Sequence, residues 1–139
     1  MWETVSAREI AVSGLRAQRV RMNVISNNIS NAFTTRTQEG GAFRRQLAIF
    51  EADQLKATSG PKDVGLRVQK VVGDKSEMRS VFDPFHPDAD AQGYVEFPNV
   101  NLAIEMADLV SAQRAYEANV AVLASGRRMT QKALDILQA

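Results

Sequence analysis

The chain has 139 residues, of which 45% are hydrophobic and only 6% aromatic, and its 17 basic and 16 acidic residues leave a net charge of +1. This length fits a single domain, and the near-neutral charge gives no reason to expect binding to nucleic acid or to an anionic membrane. Cysteine is absent, which excludes disulfides, thiolate nucleophiles and cysteine-ligated zinc.

The first predicted element is an amphipathic helix that runs from about residue 3 to residue 31. Its large apolar residues recur at spacings that place them on one face: Val5, Val12, Leu15, Met22, Ile25 and Ile29. Gly14 lies inside this helix at a cost of about 1 kcal/mol against alanine, which indicates either close approach of another backbone or simple tolerance. The helix is expected to end in an Asn/Ser-rich stretch, whose short side chains compete for backbone hydrogen bonds.

Four short strands are predicted in the middle of the chain, at residues 43–50, 66–72, 77–82 and 94–97. Gly40-Gly41 marks a turn before the first strand, and Gly60-Pro61 and Gly73-Asp74 mark turns between the first three strands. The last of these predicts a hairpin between the second and third strands. Residues 83–90 contain two prolines, which cannot donate to a strand ladder, so they are expected to form a structured loop.

The last predicted element is a helix from about residue 101 to the C-terminus, with Asn99 or Asn101 as its N-cap. Its apolar residues lie on two interleaved seven-residue lattices, Leu102, Leu109, Tyr116, Leu123 and Leu137 on one, and Met106, Val120 and Leu134 on the other. This pattern is typical of a seam that packs against partner helices. The two helices would be about 40 and 55 Å long, and pairing only with each other would leave a long flank of each uncovered. The lengths therefore favour packing between molecules.

Two groups of polar residues suggest chemistry. Asp83, His86, Asp88 and Asp90 would suit a hard cation, but aspartates in a Pro-rich loop more often cap turns, and the spacing matches no EF-hand. The first helix also has a basic face, formed by Arg8, Arg16, Arg19 and Arg21. This face would suit phosphate or an acidic partner, but a solvated or interface face is the favoured interpretation. The patterns of a catalytic triad and of phosphate-binding glycine loops are absent from the sequence, so no catalytic, metal or cofactor residue is predicted.

Several stretches together resemble the flagellar rod proteins, which are axial proteins at the base of the bacterial flagellum. Residues 13–19 (SGLRAQR) and 23–32 (NVISNNISNA) resemble the N-terminal signature shared by rod and hook proteins. Residues 105–106 (EM) and 114–119 (RAYEAN) resemble the C-terminal signature. TTRT at 34–37, GG at 40–41, FRRQ at 43–46, FDPFHPDAD at 82–90, GYV at 93–95 and PNVN at 98–101 narrow the resemblance to the proximal rod. The sequence departs from that pattern at Ala42, where proline is expected, and at Phe85, where a small residue is usual.

The resemblance implies an α+β fold, with two long terminal helices packed as an antiparallel, coiled-coil-like pair. Residues 1–33 and 100–139 would form the helical rod core, and residues 34–99 a small β-rich outer segment. It also implies a structural subunit, not an enzyme, that assembles through its terminal helices into the drive shaft and is needed for motility. Its expected partners are copies of itself, other proximal-rod proteins, the membrane ring at the rod base and the flagellar type III export apparatus.

Export to the periplasmic rod is expected to occur without a cleaved signal peptide, because Glu3 and Arg8 interrupt the N-terminus and no apolar run follows them. Direct membrane insertion is not expected, since no stretch approaches the roughly 20 apolar residues of a membrane span. The competing hypothesis is a soluble helical adaptor or export chaperone that binds partner helices transiently.

The predicted subunit interface draws on three regions of the chain. From the first helix it takes Val12, Leu15, Met22, Ile25, Asn27, Asn28, Ile29 and Asn31. From the central loop it takes Asp83, Pro84, Pro87, Asp88 and Asp90. From the last helix it takes Leu102, Met106, Leu109, Tyr116, Asn119, Val120 and Leu123.

Overall fold

A computed structural model describes residues 7–54 and 64–138 of the chain. The elements are α1 (Ala7–Ser30), β1 (Gln46–Gln54), β2 (Val64–Gly73), β3 (Arg79–Phe82), β4 (Tyr94–Phe97) and α2 (Leu102–Gln138). The predicted α+β fold, with two terminal helices packed on each other and a small β-rich middle, is confirmed. Val5 and the turn predicted at Gly60-Pro61 lie outside the described residues.

The two helices run antiparallel. Asn28, near the end of α1, contacts Glu105 in the first turns of α2, whereas Gly14 lies against Asn119 further along α2. The helix α2 has 37 residues and the described part of α1 has 24. Residue 28 of α1 lies opposite residue 105 of α2, and residue 14 lies opposite residue 119. At the same rise per residue, Ala7 lies opposite about residue 126. The last three turns of α2 therefore extend beyond the described part of α1.

The start of α2 follows from a side-chain cap. The Asn101 side-chain oxygen accepts hydrogen bonds from the backbone N–H groups of Ala103 at 3.0 Å and Ile104 at 3.3 Å, which satisfies two of the donors that a helix N-terminus leaves unpaired. Of the two predicted caps, Asn101 therefore serves α2 and Asn99 is used elsewhere. The predicted turn at Gly40-Gly41 is confirmed, because both glycines have positive φ angles, 89° and 74°.

The four strands form two separate antiparallel pairs. β1 pairs with β2 from Gln46 opposite Gly73 onward, with a register shift between Ile49 and Phe50, and β3 pairs with β4. The hairpin predicted between the second and third strands is therefore wrong. No turn reverses the chain at Gly73-Asp74. The Asp74 N–H donates to the Arg45 carbonyl at 2.7 Å, which continues the β1–β2 pairing by one residue, and the Asp74 carboxylate accepts from the Ser76 N–H at 2.9 Å.

The buried core of the described residues is small and lies mainly between the helices. Its apolar members are mostly alanine and valine: Ala11, Ala17, Val24, Ile25, Ala32, Val95 and Ala112. The largest fully buried side chains are Glu105, Val95 and Asn28. The small apolar core is thus completed by polar groups, which must be hydrogen-bonded to be buried without a large cost.

Candidate assembly surfaces and the joint that positions them

A cluster of polar side chains joins the helical pair to the β-rich segment, and we call Asn28, Arg45, Asp74, Asn99 and Glu105 the polar joint. Glu105 is 0% exposed and Asn28 is 1% exposed. One Glu105 oxygen accepts from the Asn28 amide at 3.1 Å, and the other accepts from the Arg45 Nε at 2.5 Å. The buried carboxylate is thus paired with a cation and hydrogen-bonded at both oxygens, which is the condition for burying a charge.

Asn28 also attaches α1 to the first residue of β1. Its side-chain amide donates to the Gln46 carbonyl at 2.9 Å, and its side-chain oxygen accepts from the Gln46 N–H at 2.8 Å. The side chain therefore makes the same two hydrogen bonds to Gln46 that a neighbouring strand residue would make. Through this one residue the start of the sheet is fixed relative to both helices.

Arg45 and Asn99 complete the joint. The Arg45 N–H donates to the Asn99 side-chain oxygen at 2.8 Å, and the Asn99 amide donates to the Ser76 hydroxyl at 2.8 Å. Burial by itself would lower the pKa of the Arg45 guanidinium. The hydrogen bond to Glu105 and the charges of three nearby carboxylates outweigh this effect, so the pKa of Arg45 is raised above its ordinary value. Hydrogen bonds from the backbone and side chain of Ser76, together with Arg45, hold the pKa of Asp74 below its ordinary value of 3.8.

No sequence pattern predicted this joint. Asn28 was expected at the subunit interface, and the structure places its side chain inside the chain, against Glu105. A signal was present in the sequence, because Glu105, Ala112 and Asn119 are spaced by seven residues and so share one line of α2. That line faces α1, since Glu105 and Ala112 are fully buried and Asn119 approaches Gly14.

The two predicted lattices of α2 have different surroundings. Leu102, Leu109, Tyr116 and Leu123 of the first lattice are half-buried beside the contact with α1. Met106 and Val120 of the second lattice are exposed, Met106 by 55%. Towards the C-terminus Leu134 and Leu137 are exposed too. The large apolar residues therefore flank the helix contact, whose centre is occupied by smaller and polar residues.

A third apolar lattice, which the sequence analysis missed, lies on the other flank of α2. It consists of Val122, Met129 and Ile136, each separated by seven residues and each at least half exposed. Exposed apolar residues in a contiguous row mark a surface that another element covers. Together with Met106 and Val120, this row leaves apolar surface on both sides of α2.

The predicted interface residues of α1 differ in their burial and in their neighbours. Val12, Leu15, Met22 and Ile29 are half-buried, and Ile25 is buried. Asn27 is exposed and Asn31 half-buried. Their side chains bond each other, the Asn31 amide donating to the Asn27 side-chain oxygen at 2.9 Å, and the Asn27 amide donates to the Gln46 side chain at 3.0 Å. These two asparagines therefore close the end of α1 onto the start of β1.

The central loop uses its polar side chains within its own turns. Asp83 accepts from the Phe85 N–H at 3.3 Å, the His86 Nδ1 accepts from the Asp88 N–H at 3.1 Å, and Asp90 accepts from the Tyr94 N–H at 2.9 Å. These contacts support the turn-capping interpretation of the loop. In the part of the chain that the structure describes, no three His, Asp or Glu side chains come close enough together to hold a metal ion.

Asp88 attaches this loop to the segment after α1. It accepts from the Thr35 hydroxyl at 2.8 Å and forms an ion pair with Arg36. Pro84 and Pro87 are both exposed. The loop is thus held at the same end of the molecule as the C-terminus of α1.

Among the described helices, none is both long enough and apolar enough to cross a membrane.

Comparison with known proteins places both helices in one class. Residues 9–38 match the family model described as flagella basal body rod protein, and residues 91–136 match the C-terminal model of the flagellar basal body rod FlgEFG proteins. Because each of the two packed helices matches a rod-protein model, the chain is a flagellar axial protein of the rod class.

Full-length relatives narrow the class further. The chain is 45% identical to the flagellar basal-body rod protein FlgC of Borreliella burgdorferi, over 96% of this chain and 97% of the relative. It is 39% identical to FlgC of Bacillus subtilis over 91% and 93% of the two chains, and 36% identical to FlgC of Salmonella typhimurium over 94% and 95%. The chain belongs to the FlgC family of flagellar basal-body rod proteins, which confirms the resemblance found in the sequence.

Proposed function

We propose that the protein is a structural subunit of the proximal rod, that it assembles through its terminal helices into the drive shaft of the flagellum, and that motility requires it. The observation that carries this proposal is the exposed apolar surface of α2. Met106 and Val120 on one flank, and Met129 and Ile136 on the other, are exposed along a helix of 37 residues. A helix gains most of its stability from covering its apolar surface, so neighbouring helices are the natural cover.

The polar joint gives the predicted division of the chain a physical basis. Residues 1–33 and 100–139 would form the rod core, and residues 34–99 would form the outer segment. The joint lies where these parts meet, since Asn28 and Glu105 belong to the helices and Arg45 and Asp74 to the segment between them. In this proposal the joint transmits torque between core and outer segment without bending, because its side chains are hydrogen-bonded and half or fully buried.

The predicted interface residues then have two roles. Asn28, Ile25 and the half-buried residues of the first lattice of α2 hold the subunit together, whereas Met106, Val120 and the central loop contact neighbours. Those neighbours would be copies of the chain, other proximal-rod proteins and the membrane ring below them. Delivery to the periplasmic rod would use the flagellar type III export apparatus without cleavage of the chain, and a role as an enzyme is not proposed.

The test is complementation of a strain that lacks the gene. Loss of the gene should abolish motility and leave no filament, and the wild-type gene should restore both. Val120→Asp should fail to restore motility, because a charge buried without a partner costs several kcal/mol. Ala121→Asp is the matched control and should complement, because Ala121 is exposed on the line of α2 that carries Arg114, Arg128 and Asp135.

The same strain separates the proposal from the adaptor hypothesis. If filaments form without the gene, or if the protein is absent from isolated basal bodies, the rod-subunit proposal is wrong. Sedimentation of purified protein adds a second criterion. An adaptor should form a defined small oligomer, whereas a rod subunit should be a monomer at low concentration that polymerises or aggregates as the concentration rises.

A further inference from the structure

Phe85 is the most exposed large apolar side chain of the described residues, at 97%. It lies at the tip of the central loop, between Pro84 and Pro87, and its own N–H is bonded to the Asp83 carboxylate. A hydrogen bond from the His86 N–H to the Asp83 carbonyl closes the same turn at 3.2 Å. Because these bonds fix the backbone of the turn, presenting the exposed phenyl ring to a partner costs little backbone entropy, which favours an interface anchor.

The loop is also supported from below by aromatic packing. The rings of Phe82 and Tyr94 meet edge to face with centroids 5.3 Å apart. Gly93 has a φ of 84°, and a side-chain carbon there would lie 2.9 Å from the Phe82 ring. The strand pair therefore depends on glycine at this position to bring the loop ends together. Phe85 projects from a base that is already packed and does not need the phenyl ring for its own stability.

A groove that suits such a ring lies between α1 and β2, and we call it the α1–β2 groove. Its volume is about 490 Å³, and its apolar lining consists of Val12, Ala17, Val20, Leu66 and Val68. A cavity of about 150 Å³ is enough to hold a benzene ring. The groove is therefore large enough and apolar enough to accept the side chain of a phenylalanine.

The charges around the loop and the groove are complementary. Asp83 and Asp90 flank Phe85, and neither forms an ion pair within residues 7–54 and 64–138. The rim of the groove includes Arg8, Arg16, Glu9 and Arg67, the last of which pairs with Glu51. Arg8 and Arg16 form no ion pair within those ranges. Complementary charges of this kind fix the register of a contact and accelerate encounter.

Phe85 cannot reach the groove of its own chain. The loop is attached to Thr35 and Arg36, beyond the C-terminal end of α1, whereas the groove is lined by residues of α1 between Arg8 and Val20. Ten to twenty-two helical residues separate the end of α1 from the groove lining, which corresponds to about 15 to 33 Å along the helix axis. A contact between them has to join two molecules, and because the two surfaces differ it is head-to-tail and repeats into a ring or an open helical array.

We propose that Phe85 inserts into the α1–β2 groove of a second copy of this chain, with Asp83 and Asp90 facing the arginines of the rim. This contact deepens the proposed rod-subunit function and rests on it. Phenylalanine at this position departs from the small residue that the resemblance leads one to expect, so the anchor is a feature of this chain's own sequence.

Photo-crosslinking tests the contact directly. A photoreactive phenylalanine, p-benzoylphenylalanine, replaces Phe85 in cells whose only copy of the gene carries the change, and basal bodies are isolated after irradiation. The expected product is a covalent dimer of the chain in which mass spectrometry finds the probe joined to residues 8–20 or 64–70. The same probe at Phe33, another exposed aromatic residue, is the control and should not reach those residues.

Purified subunits give the second measurement. Phe85→Ala should weaken self-association in sedimentation experiments by about thirtyfold, the usual effect of removing an aromatic anchor, whereas Phe85→Leu should retain most of it. Arg16→Glu should weaken self-association as well, and Arg19→Glu, an exposed arginine outside the groove lining, should not. These variants decide the question if the photoreactive residue prevents assembly.

The outcomes separate the two proposals. Motile cells with assembled rods, in which the probe attaches to another protein, to lipid or to a different part of the chain, overturn the contact and leave the rod-subunit function intact. Equal self-association of Phe85→Ala and wild-type protein overturns the contact as well. Absence of the wild-type chain from isolated basal bodies overturns the rod-subunit function itself.

Discussion

The two ends of α2 differ in whether their side chains find partners within the chain. At the N-terminal end Glu105 is completely buried, and its two oxygens are bonded to Asn28 and Arg45. At the C-terminal end Met129, Ile136 and Leu137 are largely exposed, Ile136 by 77%. One end of the same helix is thus fixed by partners within the chain, and the other presents apolar surface beyond the described part of α1.

This difference shows how the subunit divides folding from assembly. Buried polar groups need specific partners in specific directions, so the chain has to supply them itself. Apolar surface accepts any well-fitting cover, so it can be left for a neighbouring molecule. We expect substitutions at the polar joint to change the stability of the free subunit, and substitutions at the far end to change assembly only.

The largest effect is expected when the joint loses its cation. Arg45→Ala leaves the buried Glu105 carboxylate without its charged partner, and should lower the free energy of unfolding by about 3 kcal/mol. Urea unfolding of the purified subunit measures this. Glu51→Ala is the control, because it removes the exposed ion pair with Arg67 and should cost less than about 1 kcal/mol. Equal costs for the two variants would mean that the joint does not stabilise the fold.

A smaller loss is expected from the amide of the joint. Asn28→Ala removes the hydrogen bonds to Glu105 and to both backbone groups of Gln46, and should cost about 2 kcal/mol in the same experiment. Asn23→Ala makes the same change at an exposed position of α1 and should be neutral. Hydrogen exchange at the Gln46 amide should become faster in Asn28→Ala alone, and unchanged exchange there would argue against the proposed attachment of β1.

Gly14 tests the middle of the helix contact. A side-chain carbon at this position would lie 3.0 to 3.2 Å from the atoms of the Asn119 amide, so the close neighbour is a side chain and not the backbone that the sequence led us to consider. Gly14→Ala should therefore gain little. Combined with Asn119→Ala, which removes the obstruction, it should be more stable than Asn119→Ala alone by about 1 kcal/mol, the helix propensity difference. If alanine at position 14 gains as much with Asn119 present, the contact is not restrictive.

At the far end the free subunit should tolerate change. Ile136→Ser should shift the free energy of unfolding by less than about 0.5 kcal/mol, yet it should reduce incorporation into basal bodies, because it removes apolar surface that a neighbour would cover. Hydrogen exchange should follow the same division, with slow amides near Glu105 and fast amides beyond about residue 127. Slow exchange along the whole helix would show that the far end does not need a neighbour.

The smallest effect concerns acid. The pKa of Asp74 is held below 3.8 by Ser76 and Arg45, so its contribution to stability is fully present above the unfolded-state pKa and is lost as the pH falls through the lower folded-state value. Asp74→Asn should therefore lose less stability than wild-type protein between pH 5 and pH 3. Parallel urea titrations at several pH values measure the difference, and identical pH slopes would contradict the assignment.

The sequence by itself determined the elements and the family. Apolar spacing predicted both helices, four strands were found near their predicted positions, and the fourth matched at residues 94–97. Heptad spacing, however, draws attention to large apolar residues, and so it assigned Met106 and Leu109 to a seam towards partner helices and overlooked Glu105 and Ala112, which face α1. Residues on one line of a helix can be named from the sequence, but which line faces the partner depends on the fit of both surfaces.

Only the tertiary structure decided the strand pairing and the polar joint. The Gly73-Asp74 pair predicted a local hairpin, but β2 pairs with β1, and the Asp74 N–H continues that pairing by donating to the Arg45 carbonyl. Asn28, Arg45 and Glu105 are 17 to 77 residues apart in the chain, and no local pattern indicates that they meet. Helices and turns arise from interactions between near neighbours, whereas a buried charge can be assigned its partners only when the whole chain is in place.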